Sequence, residues 1–150
     1  MAKLTLSLGS NLGNRSQFLA DARSELQSTL GPLIYCSAEQ NNSAWGNTDQ
    51  PDFLNQIVVL TTPPPLLSGH HIRQRLHEIL DHCQRIETHL GRVRTEHWGP
   101  RTIDIDLVFV DDIHYEDERI SLPHPWWHRR PFVTDLLPPG FILPARPRSR

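Results

Sequence analysis

The chain has 150 residues, a formal charge of -2 and 37% hydrophobic residues, which suits one soluble domain with a buried core and gives no general attraction to nucleic acid or membrane. No apolar run approaches the ~20 residues of a membrane span, and Met1-Ala2-Lys3 leads straight into a strand pattern without the charged and apolar regions of a signal peptide. Two cysteines, Cys36 and Cys83, are too few for a disulfide framework, so a reducing cytoplasm is the expected location. Lys3 is the only lysine, which excludes a phosphate-binding loop ending in Gly-Lys-Ser/Thr. Every other cation is an arginine, the side chain best shaped to grip phosphate.

In chain order, Leu4, Leu6 and Leu8 alternate and predict a strand over 3–8. The turn-rich Gly9–Asn14 stretch supplies a helix cap. Phe18, Leu19, Ala22 and Leu26 then recur at helical spacing, up to a stop at Gly31-Pro32. An extended segment begins near Leu33, and 39–52 reads as a polar loop. Phe53 to Thr61, containing Ile57-Val58-Val59-Leu60, predicts a buried strand. Three prolines lead into a long helix over 66–90, with an apolar stripe through Ile72, Leu76, Ile79, Leu80, Cys83 and Ile86 and Gly91 as its cap. A strand follows over 103–109. Asp111-Asp112 predicts a hairpin turn, and a short helix is expected around 129–137. The order strand, helix, strand, strand, helix, strand predicts an α+β fold, a ferredoxin-like sandwich. Its antiparallel sheet would carry two main helices on one face and leave the other free for a site. One domain is expected over 1–140, with a flexible tail over 141–150.

The chemistry concentrates in Arg101-Thr102-Ile103-Asp104-Ile105-Asp106. Residues two apart on a strand share a face, so Asp104 and Asp106 stand side by side. Such a pair is either a solvated strand face or a site for a cation, and adjacent like charges favour the second. The hard divalent ion Mg2+ suits two carboxylates together with substrate phosphates. Arg92, Arg94 and Arg101 surround the approach, and Trp98 in the same loop suits either a lid that excludes water or an anchor in the core. Replacing either aspartate with alanine should abolish metal-dependent chemistry and leave the fold intact. His124 is held between Pro123 and Pro125. Phe53 and Asn55 share a strand face, where an aromatic plane and a carboxamide can receive a flat heterocycle. The histidines of the long helix lack a zinc-binding spacing.

The segments Gly91–Arg94, Trp98–Asp106, Leu8–Leu12, Asp49–Asn55, Gln84–Glu87 and Pro123-His124, followed by Arg130 and Phe132, resemble the 6-hydroxymethyl-7,8-dihydropterin pyrophosphokinase family. The resemblance implies Mg2+-dependent transfer of pyrophosphate from ATP to the hydroxymethyl group of a reduced pterin, giving AMP, in folate biosynthesis. It implies two Mg2+ ions on Asp104 and Asp106, and Arg92 and Arg101 stabilising charge during transfer. Gln84, Glu87, Arg94, His97, Trp98, His124 and Arg130 are implied on the nucleotide. Asn42, Trp45, Phe53, Asn55 and Phe132 are implied on the pterin. The partners are then ATP and a reduced pterin, with no nucleic acid and no membrane, and a monomer is expected. Asn42-Ser43-Ala44-Trp45-Gly46 departs from the family's Thr-Pro-Pro-Leu-Gly. That departure motivates an alternative: a paralogue that binds pterin or nucleotide with altered substrate or lost catalysis.

Overall fold

The computed structural model describes residues 2–44, 49–62, 71–92 and 101–141. Strand β1 (Ala2–Ser10) is the spine, flanked antiparallel by β4 (Phe53–Thr62) and β5 (Asp104–Val110). Strand β2 (Leu33–Cys36) completes the order β2-β4-β1-β5, and β3 (Gln40–Asn42) also pairs with β4. With helix α1 (Arg15–Leu30) after β1 and α2 (Ile72–His89) after β4, this is the expected ferredoxin-like α+β arrangement.

The central position of β1 follows from its side chains. Leu4, Leu6 and Leu8 are fully buried beneath the helices, against Leu19, Ala22 and Leu26 of α1 and Leu76, Ile79 and Cys83 of α2. Each such leucine contributes roughly 2 kcal/mol. Thr5 and Ser7, on the other face, are buried too. Asn14 caps α1, its Oδ1 accepting from the Gln17 N–H at 3.2 Å. Gly91, with φ +88°, ends α2 as expected. Of the residues expected in that helix, 66–70 lie outside the described part of the chain.

Several expectations are corrected. The polar stretch after Glu39 contains strand β3, because its asparagines pair with the start of β4. Asp111-Asp112 does turn, with Asp111 at φ +46°, but no hairpin with β5 results. The Asp111 N–H donates to the Lys3 carbonyl, and the Lys3 N–H returns to the Asp111 carboxylate. The chain is thereby tied back to β1, and β6 (Tyr115–Glu116) pairs with β7 (Ser121–Leu122) instead. The expected late helix divides into a 3-10 turn at Trp127–Arg129 and a single α turn, α3 (Pro131–Thr134).

The second face of the sheet is only half free. Trp127 and Val133 pack with Ile57, Val108 and Phe109, and Phe141 stacks on Phe109 at 5.4 Å. A bulge in β5 makes this possible: Thr5 pairs with Phe109 and Leu6 with Leu107, which leaves Val108 as an extra residue. Alternation is broken there. Val108 and Phe109 both join the second cluster, and Val110 returns to the helix side. The uncovered half of the face begins at Asp106.

Candidate active site

The β1 register builds the floor of a cleft of about 300 Å³. Gly9 lies between Asn55 of β4 and Asp104 of β5, and Ser7 lies opposite Asp106. Small residues there leave room above the sheet. A Cβ on Gly9 would stand 2.9 Å from Asn55 Oδ1 and 3.3 Å from Phe53 Cδ1. The glycine is therefore what lets the Asn55 carboxamide lie flat across β1.

Asp104 and Asp106 share this face, as the alternation predicted, but their surroundings differ. Both oxygens of Asp104 are occupied: Arg92 Nη1 donates to Oδ1 at 2.9 Å and Arg101 Nη1 to Oδ2 at 2.8 Å. Asp106 has Arg130 Nη1 at 3.5 Å from Oδ2. Burial beneath the cleft walls, and then the neighbouring Asp104 charge, hold the Asp106 carboxyl well above the usual carboxylate range. Arg130 opposes that rise. A third of the Asp106 side-chain surface still reaches the cleft. The two aspartates are thus not equivalent, since two guanidinium groups share Asp104.

Glu87 is 3% exposed. It sits within the apolar stripe of α2, four residues after Cys83, and a carboxylate at such a position is the sequence signal of a buried polar anchor. Its Oε2 accepts from the Ile105 backbone N–H at 2.9 Å and from Arg92 Nη1. Helix, arginine and aspartate strand are joined at this one atom. Beneath it, burial pushes the Cys83 thiol up to about 12, which leaves the sulfur an inert core group.

Asn11, to which spacing assigns no role beyond its place in the Leu8–Leu12 segment, anchors Arg101. Its Oδ1 accepts from the Arg101 N–H at 2.8 Å, and its own N–H donates to the Arg101 carbonyl at 3.1 Å. Its Nδ2 donates to Gln50 Oε1 and to the Pro51 carbonyl. An asparagine next to a glycine turn was the available signal.

On the far wall, His124 follows the cis Leu122–Pro123 bond, and its backbone N–H donates to the Val108 carbonyl. Burial and the Arg130 cation push its imidazole down to about 4, so the ring is neutral near pH 7. Nδ1 accepts from the Trp126 N–H at 3.2 Å, which places the single ring proton on Nε2. Arg130 also lies over the Phe132 ring at 5.5 Å, and Arg101 over Phe53 at 5.7 Å. Gln84 lines the cleft and accepts from Arg119 Nη2 at 3.2 Å. Asn42 reaches Asn55 rather than the cleft floor, accepting from its Nδ2 at 3.0 Å.

Arg92, Arg101, Asp104, Asp106, Gln84, Glu87, His124, Arg130, Phe53, Asn55 and Phe132 therefore line one cleft. Trp45, Arg94, His97 and Trp98 lie outside the described residues. Among the described residues, one other group of potential metal ligands converges, His77 with Asp117 and Glu118. Arg73 pairs with both carboxylates there, and Asp117 also takes the Tyr115 hydroxyl. That group fastens β6–β7 to α2. No described helix is long and apolar enough to cross a membrane.

The fold is a ferredoxin-like sandwich, and its cleft is an oxygen and guanidinium site of the class suited to phosphate chemistry. Comparison with known proteins narrows the class. Residues 5–138 match the family described as 7,8-dihydro-6-hydroxymethylpterin-pyrophosphokinase. A protein of Methylorubrum extorquens named 2-amino-4-hydroxy-6-hydroxymethyldihydropteridine pyrophosphokinase is 39% identical over 145 residues, covering 96% of this chain and 84% of that protein. One of the same name from a Synechocystis strain is 37% identical over 149 residues, covering 96% and 69%. Another from Haemophilus influenzae is 34% identical over 131 residues, covering 85% and 74%. The chain belongs to this pyrophosphokinase family and is an enzyme.

Proposed function

We propose that the protein transfers pyrophosphate from ATP to the hydroxymethyl oxygen of 6-hydroxymethyl-7,8-dihydropterin, releasing AMP, as a folate-synthesis enzyme of the cytoplasm. The observation that carries this reading is the junction at Gly9. On one side lie an amide and an aromatic ring suited to a flat heterocycle, Asn55 and Phe53, and on the other the carboxylate and arginine cluster suited to a triphosphate. In the reaction the alcohol oxygen bonds to the β-phosphorus as the bridge to the α-phosphate breaks, and the alcohol gives up its proton.

The donor set fits magnesium. All the acidic ligands are oxygens, and Asp106, crowded by Asp104 in a shielded position, is a carboxylate that gains from a cation. Asp104 and Asp106 would hold the two ions, and bound magnesium supplies charge neutralisation on the triphosphate. This chain's own groups do the rest. Arg92 and Arg101 meet the charge that develops around the transferred group, while Arg130 and the Nε2 proton of His124 hold phosphate oxygens. Phe53 and Phe132 confine the ring and exclude water, and Asn55 reads its amide edge. Gln84 and Glu87 complete the nucleotide side, with Glu87 acting through Arg92. Arg94, His97, Trp98 and Trp45 take the roles that the resemblance implies. A single domain over 1–140 working as a monomer completes the reading.

The direct test is nucleotide product analysis with ATP, Mg2+ and the hydroxymethyl dihydropterin. AMP and the pterin diphosphate are expected; ADP as product, or pterin binding without turnover, would favour the altered-paralogue alternative. A second expectation concerns Gly9. Gly9→Ala should raise the KM for the pterin about 10-fold with little change in the KM for ATP, because the new methyl displaces the Asn55 carboxamide, worth about one hydrogen bond. Steady-state kinetics with each substrate varied would read it, and an unchanged pterin KM would place the heterocycle elsewhere.

A further inference from the structure

Strand β3 is outside the strand, helix, strand, strand, helix, strand frame, yet it is firmly held. Asn41 Nδ2 donates to Asp52 Oδ2 at 2.8 Å, and Arg15 Nη1 donates both to Asn41 Oδ1 and to the Asp52 carbonyl. This clamp fixes the strand whose last residue is Asn42. Asn42 pairs with Phe53 in the register, so Asn55, two residues further on, is its diagonal neighbour on the same face. The contact that results is Asn55 Nδ2 to Asn42 Oδ1 at 3.0 Å.

We propose that Asn42 is a positioning residue that sets the hydrogen-bonding sense of Asn55, and so the edge that a flat heterocycle must present. A carboxamide has two N–H donors and a carbonyl oxygen. Turning it by 180° exchanges them at almost no cost in shape; Asn42 and Asn55 both have this freedom, and their contact couples the two, so that Asn55 donates while Asn42 presents its oxygen. Asn55 is 4% exposed, so no bulk water averages the choice. With one N–H committed to Asn42 and Oδ1 lying across Gly9, the remaining N–H and the oxygen form a donor beside an acceptor. The complementary partner is a ring with adjacent C=O and N–H groups, a lactam edge.

The consequence for catalysis rests on the pterin reading above, but the contact itself can be tested without substrate. Three proteins are compared: wild type, Asn42→Ala, and Asn42→Asp, which is nearly isosteric and can only accept when ionised. In side-chain amide NMR spectra of the ligand-free protein, the two Asn55 N–H signals should differ, one of them protected from exchange. That protection should be lost in N42A and kept in N42D. Kinetically, N42A should raise the pterin KM about 10-fold, with kcat and the KM for ATP within about twofold of wild type. N42D should restore the pterin KM. Unchanged Asn55 signals in N42A would overturn the inference. So would an N42D as impaired as N42A, since that result makes Asn42 the donor. If the wild type shows no pyrophosphoryl transfer, the proposed function fails, while the amide spectra still decide the contact.

Discussion

Asp106→Asn is expected to abolish turnover and at the same time to stabilise the protein kept free of divalent ions. Loss of a metal-holding carboxylate should lower kcat at least ~1000-fold, the scale set by removal of one strong transition-state contact. The stability effect has a definite sign. Burial and the Asp104 charge raise the folded-state pKa of Asp106 above its unfolded value of about 3.9. The folded protein therefore holds this proton more tightly than the unfolded chain does. Stability from this group is greatest below about pH 4, declines as pH rises, and is fully lost above the raised value. The amide of the variant does not ionise and carries no such penalty, so the gain over wild type should grow from about pH 4 upward and level off on the alkaline side. Urea unfolding in chelator across that range measures it. A variant no more stable than wild type at about pH 8, above the raised value, would show that the carboxyl is not strained. Asp104→Ala should lose activity to a similar extent but melt lower, because Arg92 and Arg101 lose a shared acceptor.

Glu87→Ala is expected to cost about 3 kcal/mol of stability, the lower end of what breaking a buried ion pair costs, and most of the activity. It would leave both the Arg92 guanidinium and the Ile105 N–H without the Glu87 oxygen they share. Glu87→Gln separates the two effects. Its amide oxygen can still accept from Ile105, so the fold should largely recover, whereas Arg92 keeps only Asp104 of its two charged partners and kcat should stay low. Denaturant curves alongside kcat and KM provide the check. If the glutamine variant turned over normally, the carboxylate charge would not be what aims Arg92.

The frame of the fold was legible because its signals are local. Alternating leucines in β1, the stripe of α2 and the aspartate strand are patterns that burial enforces. The aspartate pair and its arginines were legible for the same reason, since a period of two puts Asp104 and Asp106 together in any strand. Other features depended on tertiary partners. Strand β3 is three polar residues with no periodicity, and it exists because β4 offers an edge. The hairpin expected at Asp111-Asp112 gave way to hydrogen bonds with Lys3, 108 residues away in sequence. The roles of Asn11 and Glu87 consist of bonds to distant backbone, which spacing does not encode. The inequality of the two aspartates was equally hidden, because it arises from which guanidinium groups reach each of them.

The single extra residue at Val108 has a further consequence. It divides one ribbon into a hydrophilic stretch and a greasy stretch that share a surface without sharing a duty. Substitutions at Val108 or Phe109 should therefore loosen the packing around Trp127 while the acidic end keeps its pitch. Deleting Val108 would restore plain alternation from Asp106 to Val110, so both ends would keep their sides and only the packing around Trp127 would lose a member. Evolution could tune durability and chemistry along the same short ribbon almost separately.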